Sequence, residues 1–272
     1  MTAGDLAAGL RRIARDRTAR ERPAFEQVHH PAPARAPLTL EGGELREVEG
    51  VSVFTVRRDA EDLQPGRNLT WELDRVLDAL SVRDPEDVDR GLREAAGCSR
   101  SDMAVLDLET TGFWGCPIFL VGLLLEEDGR LVTHQLLARD YPEESGILRL
   151  AEELLRDKRL LITFNGKSYD VPCLRERAAY HRVPSRLHEL AHVDLLHPAR
   201  RRFRRELPDC RLQTLEREVV GIYRTGDIPS RDIPDVYHAF AATGETRILL
   251  PVLHHSRVDL LTTARLFAEL AA

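Results

Sequence analysis

Apolar positions along this chain change rhythm near residue 101. From there, short apolar runs alternate with segments of helical period. Met103-Ala104-Val105-Leu106 reads as a first strand ending at two acids. Ile118–Leu125 (IFLVGLLL) is apolar throughout, which suits a central strand covered on both faces. Arg130–Leu137 gives a third strand, joined to the second through Glu126-Glu127-Asp128-Gly129, whose Asp-Gly pair signals a hairpin. Pro142–Arg156 then has Ile147, Leu148, Leu150, Ala151, Leu154 and Leu155 on one helical face. A fourth strand is expected at Arg159–Phe164, followed by an Asn165-Gly166 turn and a helix from Asp170 to Tyr180. His192–Leu195 gives a short fifth strand, and helices follow, including Leu212–Val219 and Leu249–Leu270. Three antiparallel strands, then strand–helix units, predict an α/β architecture: a mixed five-stranded sheet flanked by helices, with an N-terminal extension.

Upstream the signal is weaker. Residues 44–58 (ELREVEGVSVFTVRR) predict a small hairpin turning at Gly50. WELDRVLDAL predicts an acidic helix, and Asp84–Ala95 another short one. Residues 14–40 are rich in Arg, Pro and Ala with few core candidates, so they read as flexible or loosely docked. Leu6, Leu10 and Ile13 at helical spacing predict a short amphipathic helix before them. His29-His30 sits in that stretch with nothing nearby to complete a metal site. The expected organisation is an N-terminal segment at 1–43, an accessory hairpin with helices at 44–100, and a main domain at 101–272.

Composition narrows the function classes. A hydrophobic content of 43% supports a sizeable core, and a net charge of −6 argues against a globally basic nucleic-acid coat while leaving room for a local basic patch. Lys158 and Lys167 are the only lysines in an Arg-rich chain. Cys98, Cys116, Cys173 and Cys210 form no CxxC pair and have no His at zinc spacing, which suits free thiols. No apolar run approaches the roughly 18 residues of a membrane span, and MTAGDLAAGLRRIARDR lacks a signal-peptide core. A cytoplasmic protein without a membrane partner is expected.

The candidate chemistry begins at VLDLETTG, residues 105–112. Asp107 and Glu109 stand at i and i+2 of a strand, so both side chains leave on one face. Two like charges held together call for a cation between them, and hard divalent ions take oxygen ligands. The plainer alternative is an acidic strand end that is simply solvated. Asp170 opens a helix directly after the fourth strand (ITFNGKSYD), where it serves either as a ligand or as a cap. His255 and Asp259 lie at i and i+4 in HHSRVDLLTTARL, on one face of the last helix. Asp194, in HVDLL at the end of the fifth strand, reads as a further ligand or a turn residue.

Four motifs in order (DLETTG at 107–112, FNGKSYD at 164–170, VDLLHPARR at 193–201 and HHSRVD at 254–259) resemble the DEDD group of 3′–5′ exonucleases in the ribonuclease-H-like superfamily. More closely, the chain looks like the bacterial YprB-type ribonuclease-H-like family. The segment 211–240 resembles that family's linking segment, and the likeness covers about 101–268. The resemblance implies a ribonuclease-H-like sheet and two divalent ions, Mg2+ or Mn2+, bridging the scissile phosphate. Asp107, Glu109, Asp170 and Asp259 would be the ligands. It also implies a general base near the attacking water: His255, four residues before Asp259, or His254, five before it. Helical geometry favours His255.

Expected substrate contacts are Thr110, next to Glu109, Asn165 and Lys167 before Asp170, and Arg201 and Arg204 in HPARRRFRR. Phe203 lies among those arginines, as a stacking or a core residue. Together these features predict a metal-dependent nuclease, a 3′–5′ exonuclease on single-stranded DNA or RNA. An endonuclease of the same fold and a noncatalytic nucleic-acid-binding or docking module are the alternatives.

Overall fold

The computed structural model describes residues 40–112 and 115–272. The helix expected around Leu6–Ile13 and the pair His29-His30 lie outside them. Strands β1 (Gly43–Val48) and β2 (Val51–Asp59) form the predicted hairpin. Glu49 and Gly50 both take positive φ, 48° and 80°, as a tight primed turn requires. Strands β3 (Met103–Thr110), β4 (Ile118–Glu127) and β5 (Arg130–Leu137) make an antiparallel meander. Its second turn, Asp128-Gly129, has the same pair of positive φ angles. Strands β6 (Leu160–Thr163) and β7 (Ala191–Asp194) run parallel to β3.

The sheet order is β1-β2-β5-β4-β3-β6-β7. The five expected strands are contiguous within it, and β2 pairs with β5 to lengthen the sheet to seven. The helices are α1 (Leu69–Val82), α2 (Glu144–Leu155), α3 (Asp170–Tyr180), α4 (Leu196–Phe203), α5 (Leu212–Leu215), α6 (Ile233–Thr243) and α7 (Leu250–Ala271). The helix expected at Leu212–Val219 is shorter as an α-helix, because α5 widens into a π turn at Glu216–Val220.

Strand alternation sorts the side chains of β3 to two faces. Leu106 and Leu108 pack with Ile147, Leu148 and Ala151 of α2 and Leu174 of α3. Val105 packs on the opposite face with Leu73 and Val76 of α1 and Leu260, Leu261 and Phe267 of α7. A third cluster joins Phe54 and Phe119 of the sheet to Tyr237 and Phe240 of α6. The central strand β4 is buried through Leu125, as its unbroken apolar run predicts.

The short helix expected at 84–95 does not form. Asp84 accepts a hydrogen bond from Glu86 N at 2.9 Å and Asp89 one from Gly91 N at 2.7 Å. These side chains close turns in place of helical hydrogen bonds. Only a single 3-10 turn follows, at Arg93–Ala95. Among the described residues, no helix is long and apolar enough to cross a membrane.

Candidate active site

The site forms where β3, β6 and β7, mutually parallel, reach their C-terminal ends. In such sheets this edge is where loops and helix starts converge. Pairing of β3 with β6 stops at Val105 and Ile162, and beyond it the strands part. Asp170, the first residue of α3, fills the gap: its Oδ1 accepts from Leu108 N at 3.2 Å. The helix start thus delivers a buried carboxylate directly against the β3 acids.

Asp107 and Glu109 leave β3 on the face covered by α7. Gly122 of β4 pairs with Asp107 and lets α7 come close. A Cβ at Gly122 would stand 3.0 Å from both Leu260 Cδ1 and Ser256 Oγ. With no side chain there, His255 and Asp259 reach the acids.

Electrostatics couples the four carboxylates. Burial, and then the charges of Asp259, Glu109 and Asp170, push the Asp107 carboxyl well above the usual range. Glu109 rises to about 8 through burial and its acidic neighbours, against the pull of His255. Asp170 rises to about 7, mainly by burial, with two backbone N–H groups opposing and Asp194 and Asp259 adding. Asp259 rises as well, burial outweighing His255 and Arg224. Asp107 Oδ2 is buried with no hydrogen-bond partner. A buried carboxylate oxygen left bare is costly, and acids so arranged are a mark of functional sites.

Sequence reasoning missed the other half of the site, which comes from the segment before α6. Arg224 donates from Nε to Glu216 Oε1 and Oε2 at 2.8 and 3.0 Å, from Nη1 to Asp227 Oδ2 at 3.1 Å, and from Nη2 to Asp259 Oδ1. Thr262 donates to Glu216 Oε2 at 2.5 Å. Asp227 Oδ1 lies 2.8 Å from His255 Nδ1, which fixes the ring and leaves Nε2 facing Asp259 Oδ2 at 3.5 Å and Ser230 Oγ at 3.4 Å. Burial alone would lower the His255 pKa, but its bond to Asp227 and the charges of Asp259 and Glu109 raise it. An Arg and an Asp in an aperiodic, glycine-containing stretch carry no local signal of this role. His254, the other candidate base, is exposed and its pKa is lowered by burial of part of the ring.

Asp194 organises the loop after β6, accepting from Asn165 N at 2.8 Å, Lys167 N at 2.9 Å and Leu196 N at 3.1 Å. Asn165 takes φ 64°, and Lys167 is exposed. The Thr110 hydroxyl is engaged inside the protein, donating to Gly112 O at 2.6 Å beside Tyr169 Oη at 2.8 Å. Arg201 on α4 forms a two-pronged ion pair with Asp89, whereas Arg204 is exposed just past the helix end. Phe203 is half-buried against the α1–α7 core, with Arg202 over its ring.

The donor set suits a hard divalent cation in kind: carboxylate oxygens only, mutually repelling, one of them bare. Asp107, Glu109, Asp170 and Asp259 are the residues that would hold it. Among the described residues no three such groups already converge at ion-holding distance. Both oxygens of Asp259 are turned to the chain's own basic groups, Arg224 and His255.

Comparison with known proteins agrees with this architecture. The RNase_H superfamily family model matches residues 104–271, and the chain belongs to that family. Uncharacterized protein YprB of Bacillus subtilis (strain 168) is 32% identical over 184 residues, which cover 65% of this chain and 44% of that protein. The chain thus matches less than half the length of that relative.

Proposed function

We propose that this chain is a divalent-metal-dependent nuclease, a 3′–5′ exonuclease acting on single-stranded DNA or RNA by a two-metal mechanism. The observation that carries the reading is the coupled set Asp107, Glu109, Asp170 and Asp259, with Asp107 Oδ2 buried and unpartnered. Bound there, Mg2+ or Mn2+ would polarise the phosphate and lower the pKa of the attacking water. The chain's own part is to gather the carboxylates from β3, α3 and α7 around one phosphate.

His255 would accept the water's proton at Nε2, its ring held by Asp227 through Nδ1. The carboxylates around it keep it protonated beyond its ordinary range, so it acts as a base once their charge is neutralised. Lys167, exposed on the loop after β6, and Arg204, exposed just past the end of α4, supply positive charge for substrate phosphates. Arg200, Arg202 and Arg205 extend that charge on the surface around α4. A cytoplasmic setting fits this reading of an enzyme working on nucleic acid.

The test is a degradation assay on 3′-labelled, 5′-labelled and circular single-stranded DNA and RNA with Mn2+ or Mg2+. Linear substrates should be shortened from the 3′ end and circles left intact. Asp107→Ala and Asp170→Ala should each lose about 1,000-fold or more in rate, the order expected when several kcal/mol of metal-borne stabilisation is removed. Cleavage of circles would make the enzyme an endonuclease. Binding without any cleavage would make it a noncatalytic module.

A further inference from the structure

One buried guanidinium stands among three carboxylates in this site. Arg224 is almost fully enclosed, with its side chain 8% exposed; its ion-pair partners are Glu216, Asp227 and Asp259, and His255 Nδ1 lies 3.5 Å from its Nη1. Two of those partners anchor it. Glu216 is buried, takes Nε and Nη2, and is itself fixed by Thr262 of α7. Asp227 takes Nη1 and is fixed in turn by His255. The third partner is different, because Asp259 belongs to the acidic set around Asp107. Its Oδ1 is bound to Arg224 rather than shared with the β3 acids.

We propose that Arg224 is an internal counter-ion that competes with a divalent cation for Asp259, so that it sets the cation concentration at which the site loads. The inference rests on the reading of Asp107, Glu109, Asp170 and Asp259 as metal ligands. Its physical basis is charge balance. The acidic pocket needs positive charge, and the guanidinium supplies it at one oxygen of Asp259. A cation entering among the four acids displaces that contact, while Glu216 and Asp227 retain the arginine close by. Arg224 is therefore a positioning residue acting through Asp259, and its neutralisation removes the competing cation at Oδ1, leaving Asp259 only the more distant His255 at Oδ2, 3.5 Å away.

Calorimetric titration of Mn2+ into the full chain, wild type and Arg224→Gln, reads the proposal directly. Arg224→Gln should melt at a lower temperature without metal, bind Mn2+ at least about tenfold more tightly, and gain more in melting temperature on Mn2+ addition than the wild type. Arg224→Lys, which keeps the charge, should restore an affinity near that of the wild type. Equal or weaker Mn2+ binding by a cooperatively folded Arg224→Gln would overturn the proposal.

Should that variant not fold, arginine side-chain NMR on the wild type decides. Mg2+ should shift the Arg224 guanidinium signals while those of Arg177, paired with Glu144, stay fixed. Saturation with Mg2+ that leaves Arg224 unmoved would overturn it equally. Absence of any Mn2+ binding by the wild type would remove the metal reading itself, and this proposal with it.

Discussion

Glu109 and Asp170 carry folded-state pKa values of about 8 and about 7, raised first by burial and then by neighbouring acids. In the unfolded chain both would titrate near 4. The folded protein therefore binds more protons across that window, and its stability falls as pH rises from about 4 through about 8. Thermal melting without added metal should show a melting temperature declining across this range, with millimolar Mg2+ flattening the decline. A melting temperature that rises steadily from pH 5 to 8 would contradict the mutual repulsion of these buried acids. Asp107 is the sharpest single case. Asp107→Asn removes a charge that Asp259, Glu109 and Asp170 all oppose. At pH 8 without metal the variant should melt above the wild type while losing nuclease activity, a trade typical of functional sites.

Two elements hold the site through contacts that sequence alone disguised. Gly122, in the middle of an apolar strand, leaves room for α7, whose Leu260 and Ser256 side chains would stand 3.0 Å from a Cβ there. Gly122→Val should force α7 outward, costing roughly 1–3 kcal/mol in urea denaturation, and should weaken Mn2+ binding through displacement of Asp259. Glu144, the first residue of α2, is buried and bonded to Arg177 at 2.6 and 2.8 Å, His181 at 2.7 Å and Ile118 N at 2.8 Å. It ties α2 and α3 to the start of β4. Glu144→Ala leaves Arg177 with an uncompensated, largely buried charge and should cost about 3–5 kcal/mol, measured the same way.

What the sequence disclosed about these elements has a physical pattern. The meander, β6 and α3 were legible because their signals are local: alternation, an Asp-Gly turn, an acid opening a helix. Grouping Asp107, Glu109, Asp170 and Asp259 rested instead on the order of four motifs along the chain. Asp84–Ala95 misled because its apolar spacing suits a helix while its aspartates bond their own backbone. Glu216, Arg224 and Asp227 were invisible as a unit, since their meaning lies in one long-range cluster. Arg201 and Thr110 looked free in the sequence because Asp89 and Tyr169, their partners, are far away along the chain.

Across the whole molecule, residues 44–100 share a core with the strands and helices that bear the site. Leu69, Leu73, Val76, Leu77 and Leu80 of α1 lie in one buried cluster with Leu261, Leu266 and Phe267 of α7. Arg265 of α7 reaches back to Glu72 at 2.7 Å and to Pro65 O at 2.9 Å. Burial of a large apolar side chain contributes about 1.5–3 kcal/mol, and a whole domain is stable by only about 5–15 kcal/mol. The fragment 101–272 should therefore fail to fold cooperatively, which circular dichroism during thermal melting would reveal. A sharp transition in that fragment would mean the N-terminal elements merely decorate it. The hairpin also covers the outer edge of β5, which would otherwise present unpaired backbone groups.

The acidic cluster, its arginine counter-ion and the α7 approach at Gly122 converge on one expectation about ions. A crystal of the full chain soaked in Mn2+, with data collected at the manganese absorption edge, tests it without intermediaries. Two anomalous peaks about 4 Å apart should appear among Asp107, Glu109, Asp170 and Asp259, with Asp259 released from Arg224. Well-ordered carboxylates with no anomalous peak between them, and Asp259 still bound to Arg224 at saturating Mn2+, would rule out a two-metal site built on these four acids.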